Sequence, residues 1–189
     1  MRFYAMAALA ASTLSLAACM GSSGDGDMSE VDLPERYNSL EGLVSAAENE
    51  ELDEASESQM TGTATLSGAL AISDLGDNED LEAIGDLALT ADFTGGTVTG
   101  TADNFGLYNE DTQDLDTALS GSLDIEGDIT GTALLADAWG TLTDDEDHSV
   151  DLTMDGTFYD YEGDLAVYGD VSATIDGEDY EGGFAAIED

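Results

Sequence analysis

The sequence predicts an all-β protein, a single eight-stranded antiparallel β-barrel over residues 60–189, and three observations carry that expectation. Apolar and polar residues alternate in run after run, as where Leu87, Leu89, Ala91 and Phe93 interleave with Ala88, Thr90 and Asp92, the period of a half-buried strand. Reversal signals separate the runs, Thr94-Gly95-Gly96 in the middle of the chain and Asp176-Gly177 near its end. Glycines stand inside the strands, at Gly62, Gly68, Gly100, Gly121, Gly131, Gly169, Gly182 and Gly183. They weaken a strand, and strong coiling or close strand approach in a small barrel is the physical reason to keep them.

In chain order, residues 1–18 read as a secretory leader. One charge, Arg2, precedes an apolar and small-residue run through Ala18, too short and too alanine-rich for a permanent membrane helix. The run ends in Leu16-Ala17-Ala18-Cys19, which matches the lipobox of bacterial lipoproteins, and Cys19 is the expected site of lipid attachment. It is also the only cysteine, so no intrachain disulfide competes for it. Two or three acyl chains would hold the mature chain stably in a bilayer, since each buried CH₂ contributes roughly 0.8 kcal/mol. Met20 stands where many Gram-negative inner-membrane lipoproteins carry Asp, so the expected location is the outer membrane or cell surface.

Residues 19–32 form a flexible Gly/Ser-rich, acidic tether. Asp25, Asp27 and Ser29 begin like a calcium loop, but Glu30 occupies the glycine position and Arg36 the closing glutamate position. Residues 33–59 contain a short helix over 33–47, with Pro34 suited to its first turn, followed by an acidic connector. Gly42 weakens the helix, which should pack across an end or the side of the barrel.

The eight strands are placed at Met60 to Ile72, the two arms of the hairpin around Thr94-Gly95-Gly96, Ala118 to Glu126, Ile129 to Leu142, Val150 to Tyr161 with a bend at Asp155-Gly156, Leu165 to Ile175, and Asp179 to Ile187. Closing them into a barrel removes the exposed edges of an open sheet. The expected interior comprises Leu66, Leu87, Leu89, Phe93, Val98, Leu123, Ile125, Val150, Leu152, Met154, Val171, Ile175 and Phe184. Trp139, the only tryptophan, is expected to pack in the barrel.

Charge excludes several functions. Acids number 44 against two basic residues, and removal of the leader leaves only Arg36 to oppose them. Such a surface repels nucleic acid and anionic headgroups, so no nucleic acid partner is expected and the lipid is the membrane attachment. Adaptation to salty surroundings is the simplest source of the acidity, with recognition of a cationic partner as the alternative. Asp144-Asp145-Glu146-Asp147-His148 is the densest acidic run and reads as a solvated hairpin tip. His148 is the only histidine, which rules out a multi-imidazole zinc site. Walker loop, nucleotide fingerprint and nucleophile elbow are all missing, so neither enzymatic activity nor a cofactor is expected.

Gly62-Thr-Ala-Thr-Leu-Ser-Gly68, Leu89-Thr-Ala-Asp-Phe93 with Thr97-Val-Thr-Gly-Thr101, Gly156-Thr-Phe-Tyr159 leading into Val167-Tyr-Gly-Asp-Val171, and the closing Gly182-Gly-Phe-Ala-Ala186 carry a resemblance. In that order, behind a lipobox, they resemble the β-barrel of transferrin-binding protein B-like bacterial surface lipoproteins. Asp160 departs from the pattern, which usually has glycine there. The resemblance implies a lobe-like barrel and a non-catalytic protein that binds a protein partner through loops. It supplies no binding residue, and the chain is expected to form one barrel without a second lobe. Two connections look longer than hairpins need, Ser73 to Ile84 and Asn104 to Thr117. Phe105, Leu107 and Tyr108 in the second are the candidate partner-binding residues, a lid over the barrel end being the rival role. The chain is expected to act as a monomer. The alternatives in function are a lipocalin-like carrier of a small apolar ligand and a structural envelope lipoprotein.

Overall fold

The computed structural model describes residues 33–75 and 80–189, which belong to one compact unit. Cys19, the leader and the tether lie outside the described residues. Two short helices, α1 (Glu35–Ser39) and α2 (Glu41–Glu48), come first, meeting at Leu40 where a single helix was expected. The strands follow: β1 (Asp53–Glu54), β2 (Thr63–Leu75), β3 (Leu81–Asp92), β4 (Thr97–Asn109), β5 (Leu115–Ala118), β6 (Ser120–Thr130), β7 (Ala133–Thr143), β8 (Asp147–Tyr161), β9 (Asp164–Ile175) and β10 (Glu178–Glu188).

Eight of these strands form a closed antiparallel barrel in up-and-down order, β2, β3, β4, β6, β7, β8, β9 and β10. The last strand closes onto the first, Gly182 pairing with Ile72 and Glu188 with Leu66. Within the expected connector, β1 pairs with β8 at Tyr159 and Asp160.

The turns follow the local chemistry. Asp176 and Gly177 both have positive φ, 53° and 94°, the geometry that suits the twist of a two-residue hairpin. At the central hairpin only Gly96 has positive φ, and the Asp92 carboxylate holds the reversal by accepting from the Thr94 and Gly95 amides at 3.0 and 2.9 Å. The β6–β7 turn falls at Gly131-Thr132 and not before Ile129, so Ile129 and Thr130 end β6 instead of starting β7. The β8 ladder runs unbroken through Asp155-Gly156, where a bend was expected. Gly156 instead makes room for the Phe184 ring, 2.6 Å from where a Cβ would stand.

Inward positions fill the barrel. Eleven of the thirteen expected interior residues are buried, while Phe93 and Ile175 are partly buried against the same core. Small residues stand beside large ones across the ladders: Ala138 lies between Ile125 and Leu152, and Ala136 opposite Met154. Phe158 is fully buried and meets Phe93 edge to face, ring centres 5.3 Å apart. Gly68 is needed for closure, since a Cβ there would run into the Ala185 carbonyl on the closing strand.

A second, smaller core lies outside the barrel wall. Leu40, between the helices, and Leu43 of α2 pack on Ala69, Ala166 and Ala185, the outward residues of β2, β9 and β10. Alanine at these positions lets the helices come close. Tyr161 packs against Gly42, its hydroxyl 2.6 Å from where a Cβ would stand, so the glycine that weakens the helix also seats it.

Candidate functional site

The expected partner-binding loop is not a loop. Phe105, Leu107 and Tyr108 belong to β4, which runs on to Asn109, and β5 pairs back against it, so the turn is confined to residues 110–114. Asn104, with φ 54°, forms a bulge opposite Gly85, and its side-chain amide donates to Asp86 at 3.0 Å. The bulge turns Phe105 inward. Only 2% of Phe105 is exposed, and its ring covers Gly85 at 2.6 Å from the position of a Cβ. Tyr108 is buried and Leu107 partly buried against the main core. This correction withdraws Phe105 and Tyr108 from the accessible surface and gives Phe105 and Leu107 the work of extending the core. The other long connection shortens in the same way, β2 reaching Leu75 and β3 starting at Leu81.

At the β7–β8 tip the acidic run is engaged in holding its own turn. Asp144 accepts from the Glu146 amide at 2.8 Å, Asp147 accepts from the Thr143 hydroxyl at 2.9 Å, and His148 Nδ1 lies 2.7 Å from Asp176 on the neighbouring turn. The hydrogen bond to Asp176 raises the His148 pKa against slight burial, with Asp144 assisting. Both carboxylates are held below their ordinary range, Asp144 first by the Glu146 amide and Asp176 first by His148. Among the described residues no group of three or more His, Cys, Asp or Glu is arranged to hold a metal ion.

A half-buried acid lies where α1 meets the barrel. Glu82 of β3 accepts from the Ser73 hydroxyl at 3.4 Å and from the Tyr37 hydroxyl. Burial, and then the neighbouring Glu110 carboxylate, push its pKa up to about 7. The same burial and carboxylates push the Tyr37 phenol far up. Glu110 is itself tied to the chain by the Asp74 amide at 3.2 Å. The group faces a helix and not an open cleft, which suits a packing contact.

One open feature is on the outside of the barrel. A cleft of about 970 Å³ crosses β7, β8, β9 and β10, walled by Trp139, Asp137, Asp151, Thr174, Asp179 and Glu181 among others. Trp139 points outward and is 41% exposed, which corrects its expected place in the barrel packing. Inward positions on β7 go to Leu134, Ala136 and Ala138 instead. Trp139 is paired directly with Asp124 on β6 and Asp151 on β8. Four residues earlier on the same face, Leu135 is 58% exposed and is paired with Asp128 and Asp155. Hydroxyls hold two of the carboxylates in place, Thr153 donating to Asp137 at 3.2 Å and Thr174 to Asp179 at 3.1 Å. The outward face of these strands therefore presents acids and hydroxyls around two apolar side chains. No apolar belt of the kind a lipid-facing barrel needs is formed there.

Compared with protein-family models and with curated proteins, the chain matches none.

Proposed function

We propose that this chain is a non-catalytic binding protein of the bacterial envelope, held at the outer membrane or cell surface by lipid on Cys19, in the manner of the transferrin-binding protein B-like lipoproteins its sequence resembles. Its partner is a protein, and contact is made through the outer face of the strands. The observation that carries this reading is the contrast between a filled interior and an open exterior cleft with an exposed tryptophan. Leu, Ile, Val, Met and Phe side chains occupy the space in which a carrier would hold its cargo, so the barrel interior favours binding over carriage. The turns at Glu162-Gly163 and Asp176-Gly177 are short and themselves offer little surface for recognition. The anchoring part rests on Leu16-Ala17-Ala18-Cys19.

Two measurements test it. Cells fed labelled palmitate should label the chain and retain it with the membrane fraction, and Cys19→Ser should lose both; label persisting in that variant would refute the anchor. Fluorescent apolar probes should find no saturable site in the purified protein. Stoichiometric binding of one that is displaced by fatty acid would favour the lipocalin-like carrier.

A further inference from the structure

Two exposed apolar side chains on one strand are each set directly between a pair of carboxylates. Trp139 lies between Asp124 and Asp151, and Leu135 between Asp128 and Asp155. All four acids are exposed. The two units are four residues apart on β7, roughly 13 Å at about 3.3 Å per residue. We infer that this face docks an extended, arginine-bearing peptide segment of a partner, with two arginines four residues apart occupying the Trp139 and Leu135 units. This deepens the binding reading above by naming the partner's chemistry.

The chemistry of each unit selects the occupant. An indole face attracts a cation, guanidinium most of all because it also stacks flat. The flanking carboxylates accept its N–H groups in charge-assisted bonds. At Leu135 the apolar surface suits the arginine's methylene stem, with the head carried to Asp128 or Asp155. A neutral sugar would also stack on Trp139 and could donate its hydroxyls to the carboxylates, but it brings no positive charge to match the four exposed acids. Asp137, outward between the two units, is already held by Thr153 and gives the segment's middle residue a fixed acceptor. Spacing follows from strand geometry: in an extended peptide, side chains four apart share a face, and those three apart point to opposite faces. The remaining charge of the chain assists approach without choosing the register.

The only tryptophan of the chain is the reporter. Full-length protein in a non-ionic detergent is titrated at physiological salt with short peptides carrying two arginines among neutral residues. The peptide with arginines four apart should change Trp139 fluorescence saturably and bind about tenfold more tightly than the peptide with them three apart. Its lysine counterpart should be weaker. Trp139→Ala, followed by a peptide-borne dye, should reduce affinity about tenfold, and Trp139→Phe should retain part of it. The pair Asp124→Asn and Asp151→Asn should weaken binding comparably with the circular dichroism of the barrel unchanged. Equal affinity for both spacings, or unaltered binding by the Trp139→Ala and paired Asn variants, would reduce the effect to diffuse attraction and overturn the proposal. So would quenching by a neutral oligosaccharide with none by the peptides. The titration does not require lipid on Cys19, so a failed anchor and a failed docking face give separate results.

Discussion

On the side of β2, β9 and β10 the outward residues Ala69, Ala166 and Ala185 are small and lie beneath Leu40 and Leu43, whereas on β7 the outward Leu135 and Trp139 are large and stand in solvent. The same barrel wall thus meets its surroundings in two ways. Beneath the helices the wall is smooth and apolar, and burial of leucine stabilises the contact by roughly 1.5–3 kcal/mol per side chain. On β7 each apolar group is bracketed by acids that a covering helix would have to desolvate without partners. The difference teaches that the chain covers one face for its own stability and leaves the other exposed, the face on which the docking proposal rests.

That contrast can be broken most strongly at Leu43. Leu43→Ala should destabilise the fold by about 2–5 kcal/mol, read as a lower denaturation midpoint, since the side chain is fully buried and its cavity would not refill. A loss below about 1 kcal/mol would mean that the helices rest on the wall without stabilising it.

The next effect comes from Glu82 under α1. Its pKa is about 7 in the folded chain, against an ordinary value of 4.5. The folded state therefore holds the extra proton between these values, so the stability it contributes is present below about pH 4.5 and is lost as the pH rises through 7. A shift of this size corresponds to a contribution of about 3 kcal/mol at most. Glu82→Gln, which cannot ionise, should flatten that part of the pH profile and be more stable than the parent at pH 8. Urea titrations at pH 5 and pH 8 measure both, and an unchanged slope in the variant would exclude Glu82 as its source.

His148 adds a smaller slope of the same sign. Its pKa is raised by Asp176, so the contribution is complete below the ordinary histidine value of 6.5 and disappears as the pH rises through the folded value. His148→Gln should remove it while leaving the Glu82 component intact, because the turn is exposed and the ion pair screened. An NMR titration of the single imidazole gives the pKa directly, and a value at or below 6.5 would contradict the assignment.

The smallest effect on stability is expected at Trp139. Trp139→Ala should change it by no more than about 1 kcal/mol, despite the size of the residue, because the side chain lies outside the filled interior. Equality with the loss at Leu43 would erase the distinction between the two faces.

Much of the barrel was legible because its signals are local. Alternation placed the strands, and Asp176-Gly177 placed a hairpin, since φ preference and the pleat act over a few residues. Asn104 marks where this fails. The bulge inserts one residue, so Phe105, Gly106 and Tyr108 are all buried and the period of two is lost, leaving a stretch that reads as loop. Strand β7 misleads for another reason, having apolar residues on both faces. Preference for burying the larger would put Trp139 inside, yet the register leaves room there only for alanines opposite Ile125, Leu152 and Met154. The open site was hidden in the sequence because Asp124, Trp139 and Asp151 become neighbours only through that register.

Closure of β10 onto β2 has a consequence in time. The segments that complete the ring, Gly182–Glu188 and Leu66–Ile72, lie at opposite ends of the barrel sequence, so the last contact to form spans nearly its whole length. A nascent chain still lacking Glu178–Glu188 has β2 and β9 as free edges, open to pairing with another copy. Folding is then limited by a late, long-range event, and a chain shortened by its final strand is expected to be lost to association between molecules before it is lost to weak packing within one.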